Sequence, residues 1–387
     1  MKNVIKIFIW SCIIFIVSCS DGRKGINRIG SKEYTMELLP YKTFLLDANT
    51  TQTTNYIQVL NINDTARFTM FNPAKYNILI YDIATGNVIY DIHLCKDGPN
   101  NVGTNIQGYY LTTLDSIYLY DYWHNTFILV NREGIIIDKI NISDKLLQPT
   151  ENCVIPPSPY PRSDAPILKV KDNFILQGMC RKPPRECTTP QCMVTVLFNI
   201  KNDSILFANP YPDVYGNHKD IVDSWGEFSY KLAFYDINDR DEMTVSFPAD
   251  DRIYVYDISS GNLKIFFSGY SSKDRISRRN NSAIGDLLHY LEQTQYAGVF
   301  FDKYRNLYYR LVVHPLYNYD VNDRYTWSKK LSVIILDSHF NKVGEYDLEE
   351  VTGQYSKTFV SEEGLHINVE SEDDDYLKFI SLKPVKL

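Results

Sequence analysis

Short apolar runs, broken every six to ten residues by small polar turns, dominate the chain from about residue 56 onward. Two of the turns nearly coincide. Tyr81-Asp82-Ile83-Ala84-Thr85-Gly86-Asn87-Val88 and Tyr256-Asp257-Ile258-Ser259-Ser260-Gly261-Asn262-Leu263 each read as strand, tight turn, strand. Glycine supplies the positive φ that such a hairpin turn needs. Weaker copies begin at Val130, Phe198 and Leu336, and a sixth first strand, Leu377-Lys378-Phe379-Ile380-Ser381, lies near the end of the sequence.

Working outward from these hairpins predicts four strands per unit, a to d. The units read 56–62, 66–72, 77–82, 87–93; then 108–113, 116–121, 126–131, 135–142; then 167–170, 172–178, 192–199, 204–208. They continue with 228–236, 243–248, 252–257, 262–268; then 296–301, 306–313, 330–337, 341–348; and finally 356–361, 364–370, 376–382. The last unit lacks a d strand, and Lys32-Glu33-Tyr34-Thr35-Met36-Glu37-Leu38 can supply it. Four-stranded units around a channel make a β-propeller, which leaves only short, protected sheet edges. The expected fold is therefore all-β, a six-bladed β-propeller closed by the N-terminal strand and spanning residues 32–387. Continuous apolar strands such as Ile78-Leu79-Ile80 suit blades packed on both faces. A two-sheet sandwich is the alternative architecture for such runs, and five or seven blades are alternative counts.

The first residues follow another pattern. Lys2 and Lys6 precede an apolar run from Ile7 to Val17, too short to span a bilayer but suited to a signal peptide. Ile16-Val17-Ser18-Cys19 resembles a bacterial lipobox, which makes Cys19 the expected lipidated residue after removal of residues 1–18, with 19–31 as a tether. An ordinary cleaved signal with an incidental cysteine is the alternative. Cleavage removes two lysines and no acid, so the net charge goes from −7 to −9. An acidic chain is a poor partner for nucleic acid, whose affinity rests on Lys and Arg against phosphate. The 30 tyrosines favour pleated, half-buried surfaces. The lipobox, acidic body and degenerate blades together resemble secreted Bacteroidetes lipoproteins with a six-bladed TolB-like propeller, the family of domain of unknown function 4221. The resemblance implies this fold and a cell-envelope location, at the outer membrane, on its periplasmic or surface side. It implies no activity.

In such a propeller the b–c and d–a connections share one face, and here they hold the long insertions, notably 143–166, 179–191, 209–227, 269–295 and 314–329. Long loops on a rigid scaffold tend to carry function. Trp123, His124, Trp225, His314, Tyr317, Arg324 and Trp327 all fall in b–c or d–a connections on this face, Trp123 and His124 in a short one. Trp and Tyr suit stacking on sugars or anchoring a protein partner. These residues are the candidate ligand site for a glycan, peptide or protein, with packing of the loops onto the propeller as the plain alternative. Residues 283–294 predict a short helix.

Known chemistry is sparse. No HExxH, GxSxG, P-loop or GxGxxG pattern occurs, and no metal or cofactor is expected. Cys180, Cys187 and Cys192 lack the paired spacing of a zinc site. Export favours disulfides, and Cys180–Cys192 and Cys153–Cys187 are the expected pairs, leaving Cys95 free. Glu372 to Asp375, and Asp250-Asp251, read as solvated b–c turns. Asp64-Thr65-Ala66, Asp115-Ser116-Ile117 and Asp203-Ser204-Ile205 resemble the Bacteroidetes O-glycosylation motif, which makes Thr65, Ser116 and Ser204 candidate sites; an ordinary strand start after a turn is the alternative. The leading functional expectation is a lipid-anchored binding module. A propeller lyase or hydrolase at the channel mouth is the alternative.

Overall fold

The computed structural model describes residues 32–387 apart from 55, 148–152, 182–186, 188–189, 224, 226–229, 272–275, 277–284, 324–326 and 349–352. The signal segment and Cys19 lie outside the described residues.

The chain enters on β1 (Tyr34–Leu45). Blade 1 is β2 (Ile57–Ile62), β3 (Thr65–Asn72), β4 (Asn77–Asp82) and β5 (Val88–His93). Blade 2 is β6 (Ile106–Thr113), β7 (Ser116–Asp121), β8 (Thr126–Val130) and β9 (Ile136–Asn141). The long connection that follows carries α1 (Ser143–Leu147), β10 (Val154–Ile155) and β11 (Ser158–Pro159). Blade 3 is β12 (Leu168–Val170), β13 (Asn173–Met179), β14 (Gln191–Asn199) and β15 (Ser204–Pro210), followed by α2 (His218–Asp223). Blade 4 is β16 (Phe234–Ile237), β17 (Glu242–Ser246), β18 (Arg252–Asp257) and β19 (Leu263–Phe267), followed by α3 (Gly285–Glu292). Blade 5 is β20 (Gln295–Asp302), β21 (Leu307–Val313), β22 (Leu331–Leu336) and β23 (Lys342–Leu348). Blade 6 is β24 (Gly353–Ser361), β25 (Gly364–Val369) and β26 (Tyr376–Lys386), and its outer strand is β1.

The ring therefore closes as the strand pattern predicts. β1 runs antiparallel to β26, with Tyr34 opposite Lys386 and Leu45 opposite Tyr376. It is longer than expected, because a register shift between Leu39 and Lys42 absorbs Pro40 and lets pairing resume. Proline cannot donate to a ladder, so a bulge on an outer strand accommodates it. The sequence pattern missed β10 and β11, which are two residues each and pair with the strands of blade 3. Runs that short carry no periodicity to read.

Among the described residues, six hydrophobic clusters hold the ring together, one at each junction between blades. Ile78 and Ile80 of blade 1 pack with Leu111, Ile117 and Leu119 of blade 2. Phe127 stacks on Phe174 and Phe198 across the next junction. Val194 meets Met243 and Val245 between blades 3 and 4; Ile253 and Val255 meet Tyr308 and Val312 between 4 and 5; Leu311 and Val333 meet Leu365 and Ile367 between 5 and 6. The sixth junction joins Phe359 and Phe379 of blade 6 and Phe44 of β1 to Phe68 of blade 1. Each buried side chain of this size contributes about 1.5–3 kcal/mol. β1 thus works twice, as a ladder partner for β26 and as an apolar wedge against blade 1.

The third b–c connection is tied down by two disulfides. Cys153 is bonded to Cys187 (Cα–Cα 5.5 Å) and Cys180 to Cys192 (5.3 Å), while Cys95 is free and exposed. The Asp250 reading needs correction. Its carboxylate is buried and accepts hydrogen bonds from Arg252 (2.8 Å) and Tyr254 (2.7 Å), so it organises the turn rather than solvating it.

Candidate functional site

The loop-rich face does not gather the predicted aromatics into one patch. Trp123 is 74% exposed on the β7–β8 turn of blade 2. Beside it His124 Nδ1 lies 2.7 Å from the Asp121 carboxylate, which also accepts the Trp123 N–H. Tyr317 is 81% exposed, but it follows blade 5 strand β21, on the opposite side of the six-membered ring from blade 2. Trp225 is a core residue. It is 1% exposed, packs against Tyr215, Tyr230 and His289, and donates its indole N–H to the Tyr215 carbonyl at 3.1 Å. No ring face is left for a surface ligand there. Trp327 is tied back into its own loop, where its indole N–H donates to the Asp320 carbonyl at 2.8 Å. His314 bonds to Ser332 Oγ (2.6 Å), and that hydroxyl donates to Asp347 (2.7 Å). Arg324 lies outside the described residues. Thr65 and Ser116 open the second strands of blades 1 and 2, and Ser204 opens the fourth strand of blade 3, so all three sit on the short-turn face.

The central channel makes a different site. The first strand of every blade contributes to a cavity of about 510 Å³. Asn61, Lys171, Asp239 and Lys303, which line it, belong to the ends of a strands or to a–b turns, so it opens on the short-turn face. Residues 161–166 close the other end. Ser163 Oγ accepts the N–H of Ile57 in blade 1 (2.9 Å), the Pro161 carbonyl accepts from Gln107 of blade 2 (3.2 Å), and Arg162 donates to the Ala233 carbonyl beside blade 4 (3.2 Å). Arg162 also lies over the Phe234 ring and forms an ion pair with the buried Asp164. One segment reaching three blades leaves a blind pocket.

The charges on this pocket are unequally satisfied. At the mouth Lys171 pairs with Asp241 (3.0 Å), Lys303 reaches across to Asn61 Oδ1 (3.4 Å), and Asp239 is exposed to solvent. Asp236 is half-buried on β16 and meets no cation among the described residues. Its carboxylate accepts the N–H of Phe301 in blade 5 (2.7 Å) and of Ile237 (2.8 Å). Burial pushes its pKa up to about 6, against the pull of those two N–H groups. Lys169 on β12 has the Phe174 ring near its ammonium, at 6.0 Å. Both residues fall within predicted a strands. A charge inside an otherwise apolar inner strand was the available signal, but only ring closure shows that those strands line a cavity.

One other arrangement carries no accessible chemistry. Ser361 Oγ, His366 and Ser381 Oγ form a hydrogen-bonded row (2.7 and 2.8 Å), but all three are buried, and burial lowers the His366 pKa to about 3. Among the described residues no group of three or more His, Cys, Asp or Glu is placed to hold a metal ion.

Comparison with known proteins agrees with the architecture. A crystal structure of a DUF4221 family member from Bacteroides vulgatus superposes with a TM-score of 0.77 at 21% identity, over 92% of this chain and 100% of that one. A Bacteroides fragilis protein described as exported superposes at 0.55 and 11% identity, over 90% and 95% of the two chains. No curated protein sequence matches. The profile of the family described as domain of unknown function DUF4221 matches residues 35–347, which takes in all or part of every blade, and the chain belongs to that family.

Proposed function

We propose that the protein is a lipid-anchored module of the cell envelope that binds a small polar ligand in its blind channel, entered from the short-turn face. The observation that carries this reading is the cavity itself, about 510 Å³, with residues 161–166 bonded across one end and with charged groups in its wall. Ligand pockets are typically concavities of roughly 300–1,000 Å³ with a few placed polar groups. The signal segment with Cys19, the two disulfides and the likeness to a protein described as exported support an extracytoplasmic position. This reading moves the working surface away from the loop-rich face, where Trp225 is buried and the exposed Trp123 and Tyr317 stand on opposite blades.

The test is a thermal-shift screen of amino acids, short peptides and oligosaccharides against the protein and two variants. Val59→Trp fills the channel, whereas Trp123→Ala with Tyr317→Ala strips the exposed rings of the other face. Hits abolished by the first variant and kept by the second support the channel. The reverse pattern overturns it. Palmitate labelling lost in Cys19→Ser, with release of the protein from the membrane fraction, checks the anchor.

A second reading rests on Asp236, whose pKa near 6 suits general acid–base work in a cleft. It is an enzyme at the same channel mouth, and turnover of a screened ligand that stops in Asp236→Asn would show it.

A further inference from the structure

We propose that the channel takes a short peptide with free termini, its ammonium group held at Asp236 and its carboxylate at Lys169. This deepens the proposed function and rests on it.

Charge left over in the channel wall points to this ligand. A half-buried ion without a partner is costly, and a ligand that supplies the opposite charge recovers the cost. Among the charged residues lining the cavity, Lys171 and Asp241 neutralise each other, and Lys303 and Asp239 are exposed and hydrated at the rim. Asp236 and Lys169 remain, one acid and one base, on the inner strands of adjacent blades. Asp236 is also a prepared acceptor. Backbone N–H groups from blades 4 and 5 orient its carboxylate while leaving it lone pairs. A ligand with a single charge would satisfy one of the two residues and leave the other. A neutral sugar would satisfy neither as an ion. A zwitterion satisfies both and adds no net charge to the channel.

The rest of the lining fits a peptide between those ends. Val59, Tyr110, Phe301 and Val360 offer apolar and aromatic wall, and Gln58 and Asn238 add amides, although both already serve the fold. A cavity of about 510 Å³ accommodates two or three residues and excludes a long chain, because residues 161–166 stop passage through the far end.

The experiment is titration calorimetry on the detergent-solubilised, full-length protein. The probes are tri-alanine, its N-acetyl form, its C-terminal amide, and maltotriose. Tri-alanine is expected to bind, and blocking either terminus to weaken binding about tenfold or more, as expected for a charge-assisted contact. Asp236→Asn is expected to lose the preference for the free amine and keep that for the free carboxylate. Lys169→Met is expected to do the opposite. Circular dichroism of both variants establishes that they fold. Equal binding of free and blocked peptides overturns the assignment of the termini, as does a variant that loses both preferences together. Absence of tri-alanine binding overturns the inference; if maltotriose then binds and Val59→Trp abolishes it, the channel reading survives without the peptide.

Discussion

Gly86 presses its α-carbon against the backbone of Thr43: a β-carbon at position 86 would stand 2.3 Å from the Thr43 carbonyl oxygen. Gly86 lies in the c–d turn of blade 1 and Thr43 in β1, the outer strand of blade 6, and the Leu45 N–H donates to the Gly86 carbonyl at 2.9 Å. The glycine that marks a hairpin in the sequence is thus also the point where the closing strand locks to the first blade. Gly134 repeats the relationship one blade on, against the His93 carbonyl at 2.2 Å.

Alanine at Gly86 should therefore cost more than alanine at Gly261. Both have positive φ, at 71° and 73°, so both incur about 1–2 kcal/mol of left-handed strain. Only Gly86 has backbone in the way, since the nearest atom at Gly261 is the Tyr256 hydroxyl at 3.7 Å. Urea denaturation is expected to show an additional ~1–3 kcal/mol for Gly86→Ala. Equal losses would mean that β1 does not dock there.

The channel plug depends on the Arg162–Asp164 pair. Removing one member strands the other charge in the interior, which costs about 3–5 kcal/mol. Asp164→Ala should show that loss in chemical denaturation. The double variant Arg162→Met with Asp164→Leu should recover most of it.

The two tryptophans expected to work together should separate in stability measurements. Trp225→Ala empties a packed site and should cost about 3–5 kcal/mol. Trp123→Ala removes an exposed ring and should stay within about 0.5 kcal/mol. Comparable effects would contradict the burial difference.

Asp236 should make stability fall with rising pH over a defined window. Its folded pKa, near 6, lies above the ordinary 3.8, so the folded state holds the proton more tightly. Its contribution is fully present below pH 3.8 and is lost as pH rises through 6. Asp236→Asn keeps the acceptor for the Phe301 N–H without the charge. Relative to the parent it should gain about 1–2 kcal/mol between about pH 4 and pH 7.5, allowing for screening by channel water. A difference that stays flat across that range would show that Asp236 titrates as an ordinary carboxyl.

Peptide mapping without reductant should recover Cys153 linked to Cys187 and Cys180 linked to Cys192, with Cys95 open to alkylation. Reduction should destabilise the protein by about 2–4 kcal/mol per bridge. A map with Cys95 in a bridge would refute this connectivity.

The blades were legible because strand pairing is local. Val88 follows Gly86 by two residues, and the short apolar runs on either side of the turn place the strands without knowledge of the ring. Even β1 was readable, because an outer strand missing from the last blade has to come from somewhere. Its continuation past Pro40 was not, since a bulge is decided by the partner strand as much as by the residues themselves.

The candidate site divides along the same line. Trp225 and Trp123 look alike in sequence, each in a long or polar connection. Whether an indole lands in a core or in water depends on what the neighbouring blades bring to it, and for Trp225 that is Tyr215, Tyr230 and His289. By itself the sequence determined most strand positions, the hairpins and the strand able to close the ring, because those follow from short-range patterning and turn chemistry, and it pointed to six blades; the six sheets of the folded chain fixed that count against five, seven or a sandwich. Only the tertiary structure decided that residues 161–166 stop the channel and that Asp236 and Lys169 share its wall, because both require segments far apart in the chain to converge on one axis.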